Sequence, residues 1–379
     1  MNNLISNSIV KSEKRVIVHV IQRSVFLKMY LDLLDHTSDS TIHRFIIYGN
    51  DWHQGLESYP EYESKYTFIN IQSPDSRLNI RKIWSSEVRH LLKESNMVII
   101  HALHTEAIIF LLQYPTILHK SILRIWGEEL IWKKYHKISD IFIQHMKYVV
   151  KKQIIRRIKY IISTKTEYDV IKKYYNSDAI HVDGAMTYKY NSLMPGLPMQ
   201  PPVNIVVGHS GFETGNHIEI LDILKKFKNE DINIYLPLSY GGTPEYISQI
   251  KSFAKLNYSP EKIHFLTEFQ DTTKYELLLR KMHIGIYNAE NQTGLGNISI
   301  LLSNGAKLYF NDKGLNIKII RDRGYICNAV SEIKSTRFTD FVKLDEAVQN
   351  HNINNYVIEN NEEKKIREWN AVFSINIER

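Results

Sequence analysis

Three short glycine-bearing stretches carry the clearest chemistry in this chain. They are Gly208-His209-Ser210-Gly211, Tyr240-Gly241-Gly242 and Gln292-Thr293-Gly294-Leu295-Gly296. Each follows a brief apolar or β-branched run, so each reads as the turn at the end of a buried strand. Glycine lets backbone N–H groups approach an anion closely, and a helix start beyond the turn adds positive partial charge. After the first turn, Ile218, Leu221, Ile223, Leu224 and Phe227 recur at helical spacing, completing a strand, loop and helix. That suits the diphosphate of a nucleotide. One such turn is commonplace between a strand and a helix; three in one half of a chain favour a nucleotide site. Ser210, Tyr240, Gln292 and Thr293 offer donors for phosphate or sugar oxygens, and Glu290 an acceptor for sugar hydroxyls or an ordinary solvated carboxylate.

A base that removes a proton from an acceptor hydroxyl is the other requirement of group transfer. Glu129 and His101 are the first candidates, with Glu128, His104 and His19 beside them. His19, His101 and Gly127-Glu128-Glu129 all lie at or just after expected strand ends, where they face one crevice. For Glu129 the plainer reading is a first-turn carboxylate that stabilises a helix N-terminus. GxGxxG, GxxxxGK[ST] and GxSxG are all absent, which counts against a dehydrogenase, a P-loop ATPase and a serine hydrolase. His209 and His217 have neither HExxH nor a cysteine pair near them, so they are expected to be structural or phosphate-contacting. No metal and no bound cofactor are expected.

Strands that alternate with amphipathic helices position these residues. In the first half, Arg15 to Ile21, His43 to Tyr48, Tyr66 to Ile71, Asn96 to His101 and Ser121 to Trp126 read as strands. Val25 to Leu34, Asn79 to Lys93 and Glu167 to Tyr175 read as helices. Asn191 to Pro202 concentrates proline and glycine and reads as a linker. The pattern then restarts with strands at Asn204 to Val207, Ile232 to Leu238, Ile263 to Leu266, His283 to Tyr287 and Lys307 to Phe310. The fold class is therefore α/β, with two parallel sheets covered on both faces. The expected units are residues 1–190, a linker at 191–202, a second domain at 203–335 and a C-terminal helical segment at 336–379.

At 379 residues, two domains are the natural division. The single cysteine, Cys327, gives no sign of an oxidising compartment, and the start of the chain lacks a signal-peptide core. A net charge of +7 and a pI of about 9.0 suit an anionic partner. The basic residues concentrate between Lys133 and Lys159. There Ile141, Ile143, Met146, Val149, Val150, Ile154, Ile155 and Ile158 form an apolar stripe opposite Lys147, Lys151, Lys152, Arg156 and Arg157. This reads either as an interfacial helix drawn to anionic lipid or as a packed helix with a solvated basic face. A non-catalytic protein that binds anionic lipid or nucleic acid through this helix is one alternative. A two-domain periplasmic-type sugar-binding protein is another.

The same residues carry a resemblance. Arg124-Ile125-Trp126-Gly127-Glu128-Glu129-Leu130 come first, followed by the Gly208 turn running to His217. Leu236-Pro237-Leu238-Ser239-Tyr240 and Gly285-Ile286-Tyr287 with Gln292 to Gly296 follow in order. Together they resemble glycosyltransferase family 56, over roughly residues 15 to 320. The resemblance implies a GT-B architecture, two Rossmann-like domains facing a central cleft. It implies a transferase that moves 4-acetamido-4,6-dideoxygalactose, or a similar amino-deoxy sugar, from a dTDP donor. The acceptor would be a polyprenyl-diphosphate-linked glycan of enterobacterial common antigen or O-antigen synthesis. By the same resemblance Gly208, Ser210 and Gly211 cradle the diphosphate, and Gln292, Gly294 and Gly296 sit at the donor. Trp126, Gly127 and Glu129 line the acceptor side. A peripheral enzyme on the cytoplasmic face of the inner membrane is implied, held by the Lys133 to Lys159 region, with no nucleic-acid partner.

Overall fold

The structure is a computed structural model that describes residues 14–37, 40–49, 60–71, 79–130, 138–184 and 198–377. The expected linker falls largely outside the described residues, as do Lys133, Lys134 and Lys137.

The first domain is built on a seven-stranded sheet in the order β3-β2-β1-β4-β5-β6-β7. Its strands are β1 (Arg15–Gln22), β2 (Thr41–Tyr48), β3 (Thr67–Asn70), β4 (Met97–His101), β5 (Ser121–Arg124), β6 (Tyr160–Ile162) and β7 (Ile180–Val182), all paired in parallel. Its helices are α1 (Val25–Leu34), α2 (Pro60–Glu63), α3 (Ile80–Ile83), α4 (Ser86–Glu94), α5 (Thr105–Gln113), α6 (Ile138–Arg157) and α7 (Lys165–Tyr175). The long helix expected over Asn79 to Lys93 is broken because Ser85 caps a new start, accepting from Val88 N–H at 3.2 Å. Strand alternation splits the core: Val18 and Val20 face one layer, Ile17 and Ile21 the other.

The second sheet has six parallel strands in the order β10-β9-β8-β11-β12-β13. They are β8 (Val203–Val207), β9 (Ile232–Pro237), β10 (Ile263–Leu266), β11 (Ile284–Tyr287), β12 (Lys307–Phe310) and β13 (Asn328–Ala329). Around them lie α8 (His217–Leu224), α9 (Pro244–Asn257), α10 (Thr272–Leu279), α11 (Leu295–Ser303), α12 (Leu315–Asp322) and α13 (Val330–Ser335).

The last three helices divide between the domains. From α14 (Phe338–Val342), Phe341 enters the second core, and from α15 (Glu346–Glu359), Tyr356 does. The final helix, α16 (Glu362–Ser374), instead sends Trp369, Val372 and Phe373 into the first domain's core against Ile17 and Tyr30. Arg15 donates to the carbonyls of Phe373 and Ile375 and ties the chain's end to its first strand. Within the 336–379 segment the chain therefore crosses back to the first domain at Asn360-Asn361.

Candidate active site

In each sheet the strand order reverses between the first and fourth strands in chain order, and ligands of open parallel sheets sit at the carboxyl ends of such strands. In the second domain those ends carry the turn after β8 and the loop after β11. Gly208 N–H donates to Ile286 carbonyl at 2.9 Å, which joins the two strand ends. The turn after β9 closes on the first: Gly211 N–H donates to Tyr240 carbonyl at 2.8 Å. Gly242, at φ +74, passes so close that a Cβ there would overlap the Gly211 carbonyl. Gly294, at φ +68, lies against the His209 ring. All three glycine turns thus meet at one place. Gly296 differs: a side chain there would meet only open space, so packing does not demand its glycine.

The side chains of these turns are held in particular ways. Ser210 is buried, and its hydroxyl lies 3.3 Å from His209 Nε2. Tyr240 stays partly exposed, edge-on to His209 and Phe212. His217, the first residue of α8, packs its ring against Gly208. Burial pushes His209 and His217 down to about 4, so both imidazoles are neutral at neutral pH. Glu290 is exposed at the rim, while its carbonyl accepts from Leu315 N–H at 2.8 Å. Thr293 is held through its backbone by Asn316. Gln292 is buried and reaches the first domain, where a Cβ on Gly127 would sit 2.9 Å from its Cδ. Gly127, at φ +98, is required by its backbone conformation, and a side chain there would also have to push the Gln292 amide aside.

On the first domain the expected base does other work. Glu129 is 1% exposed. Its Oε1 accepts from Leu103 N–H at 2.6 Å, and its Oε2 accepts from Trp126 and Gly127 N–H, both at 3.1 Å. The carboxylate thus fastens the loop after β4 to the loop after β5. Ala102, immediately before Leu103, sits at φ +72, a conformation that costs a non-glycine residue energy unless its surroundings hold it. Glu129 is a positioning residue here, not a base open to an acceptor.

His19 and His101, expected at the crevice, do not face it. Both are 0% exposed and lie on the sheet face covered by α1 and α16. His19 Nδ1 is 3.2 Å from His101 Nε2, and His19 Nε2 is 2.9 Å from His43 Nδ1. Burial holds all three well below the usual imidazole range. The alternation of a strand explains the misplacement: a residue near a strand's end can face the covered layer instead of the crevice.

What does gather at the first domain's strand ends is aromatic. His104, half-buried after β4, has Nδ1 3.1 Å from the Tyr48 hydroxyl at the end of β2. Its ring stands edge-on to Trp126, which stands edge-on to Phe26. Arg124 lies over the Trp126 ring. Trp126 adjoins Gly127, so this group borders the Gln292 contact directly.

The family described as 4-alpha-L-fucosyltransferase glycosyl transferase group 56 matches residues 18–322. The chain belongs to that family. Group 56 membership makes it a glycosyltransferase, and the non-catalytic and sugar-binding readings give way. A solved sucrose-phosphate synthase from Thermosynechococcus elongatus shares 10% identity, with 95% of this chain and 98% of that one covered at a TM-score of 0.65. Anabaena HepE, solved with UDP and glucose, gives 10%, 95% and 99% at 0.63. A glycosyltransferase from Rickettsia africae gives 11%, 95% and 98% at 0.62. At such identities the likeness speaks to fold alone, and the fold is GT-B. A group 56 enzyme takes a nucleotide-sugar donor and a glycan acceptor.

Sequence reasoning missed Asn288 and Asn316. Asn288 is buried after β11, donates to Glu219 Oε2 at 2.9 Å and lies 2.9 Å from the Asn311 amide. A loop asparagine has no periodicity to mark it, and only the contacts show that Asn288 ties the loop after β11 to α8.

Proposed function

We propose that this enzyme transfers an amino-deoxy sugar, of the 4-acetamido-4,6-dideoxygalactose kind, from a dTDP donor to a polyprenyl-diphosphate-linked glycan. The setting would be bacterial surface polysaccharide synthesis, either enterobacterial common antigen or O-antigen. The family description, a fucosyltransferase, supports a 6-deoxy sugar of the fucose kind. The single observation that carries the donor side is the convergence of three glycine turns at the strand-order reversal of the second sheet.

In this reading the backbone N–H groups of Gly208 to Gly211 and the start of α8 take up the diphosphate charge. No obligatory metal is assigned. The acceptor hydroxyl attacks the donor's anomeric carbon, its proton passes to His104, and the bond to the diphosphate breaks with its electron pair leaving on the phosphate oxygen. His104 is assigned because it is half-buried at the crevice with Tyr48 orienting it, whereas Glu129, His101 and His19 are fully buried. Phe26, which is 46% exposed, and Trp126 offer ring faces to the acceptor sugar.

Helix α6 supports the membrane part of the reading. Ile154, Ile155 and Ile158 are core residues, so the expected apolar stripe is partly internal. Met146 and Val149 face outward beside the exposed Lys147, with Arg156 and Arg157 exposed further along. Among the described residues no helix is long and apolar enough to cross a membrane. The reading is a peripheral attachment to anionic lipid at the cytoplasmic membrane face.

The test is an assay of purified protein with the dTDP-sugar and a polyprenyl-diphosphate disaccharide, the product identified by mass. His104→Gln should lower kcat at least about 100-fold while dTDP binding persists. Sedimentation with anionic but not zwitterionic vesicles should weaken when Lys147, Arg156 and Arg157 become glutamate. Transfer only from a UDP- or GDP-sugar would refute the donor assignment.

A further inference from the structure

Helix α12 touches the donor-side loop, the first domain and the crossing point of the chain. At its start, Leu315 N–H donates to Glu290 carbonyl at 2.8 Å. Asn316 is 1% exposed and uses both halves of its amide on one residue. Its Oδ1 accepts from Thr293 N–H at 3.3 Å, and its Nδ2 donates to Thr293 carbonyl at 2.8 Å. Thr293 follows Gln292, whose side chain meets Gly127. The Leu315 side chain packs on the first domain's core. At the other end, the Thr166 hydroxyl of α7 donates to Asp322. The next residue, Arg323, pairs with Glu359 at 2.8 Å, just before the crossing point.

An eight-residue α-helix is a hydrogen-bonded rod about 12 Å long. A shift of the first domain at Thr166 or Leu315 therefore moves Asn316, and with it the peptide of Thr293. We propose that Asn316 is a positioning residue for transfer, and that α12 couples the approach of the two domains to the setting of the Gln292 loop. This rests on reading that loop as the donor site. Asparagine serves because it satisfies an N–H and a C=O at once. Aspartate accepts from the N–H but repels the carbonyl, and alanine leaves both backbone groups without it.

The experiment is hydrogen–deuterium exchange of the full chain, followed in peptides that span 290–297, for wild type, Asn316→Ala, Asn316→Asp and Thr166→Val. Asn316→Ala should speed exchange in the loop about tenfold or more, and Asn316→Asp should fail to restore it. Thr166→Val is the decisive variant, because its hydroxyl belongs to the other domain. It should speed exchange in the same loop severalfold and lower kcat, with donor KM held near wild type. Exchange changes confined to residues near 166 and 322, with the loop at wild-type rates, would overturn the coupling. So would an Asn316→Ala loop at wild-type rates. If Asn316→Ala does not fold, Thr166→Val decides alone. The apo exchange of Thr166→Val judges the coupling by itself. A wild-type loop that gains no protection from dTDP, UDP, GDP or ADP would sink the donor reading instead.

Discussion

The amide of Gln292 rests on the bare Cα of Gly127, one residue from each domain, so that any side chain at Gly127 would overlap Gln292 Oε1. This contact joins the loop that follows β11 to the loop that Glu129 fastens. The two domains therefore touch at a glycine with a left-handed backbone, φ +98.

Gly127→Ala should therefore leave the donor domain intact and spoil its meeting with the acceptor side. We expect kcat/KM to fall about 100-fold, or about 2.7 kcal/mol of transition-state stabilisation. Stabilisation by a bound nucleotide should stay at the wild-type level. Steady-state kinetics and a thermal shift on one preparation check this, and a lost nucleotide shift would contradict it.

Glu129→Ala strips three backbone N–H groups of their acceptor in a buried place. A loss of about 3 kcal/mol in urea unfolding is expected. Glu129→Gln should not restore it, because its NH₂ must face a backbone N–H at one of the two oxygen positions. An isostere as stable as wild type, yet inactive, would return Glu129 to the role of base.

Much of this was legible beforehand. The helix Val25–Leu34 has the limits its apolar spacing gave, and the three glycine turns were marked by residue type alone. Helix α12 is less legible, since Leu315, Ile317 and Ile319 fall at every second residue, the spacing of a strand, and Gly314 before it offers no side-chain cap. The sequence misleads at His19 and His101 because strand ends give position along a sheet but not the layer faced. Glu129 was named for its place after a strand and glycine, and only its three amide partners show what it does.

Gly242→Ala drives a Cβ into the Gly211 carbonyl at a backbone angle of φ +74. The two turns must separate, and nucleotide affinity should fall about tenfold or more, at least 1.4 kcal/mol. Calorimetric titration with dTDP measures it. The first domain's core, remote from this contact, should keep its exchange protection.

The buried imidazoles give the stability a pH dependence. His43 is held at about 4 by burial, and His19 and His101 lie well below the usual 6.5. All three are neutral when folded, so the unfolded chain binds more protons as pH falls below 6.5. The stability they contribute is whole above 6.5 and is lost as pH falls, the share of His43 by about 4. The urea midpoint should drop steadily between those limits. His43→Gln should flatten the slope; an unchanged slope would show that other groups set it.

The most direct test of the whole account is the melting temperature of the purified protein with dTDP, set against UDP, GDP and ADP. Binding to the native state alone contributes about 2.7 kcal/mol at a hundred times Kd, a rise of a few degrees. That rise is expected with dTDP, dependent on concentration and cut to about half or less in Gly242→Ala at the same nucleotide concentration. No rise with any of the four nucleotides, at saturating concentration and in a folded sample, would contradict the assignment of the converging glycine turns to a nucleotide-sugar donor.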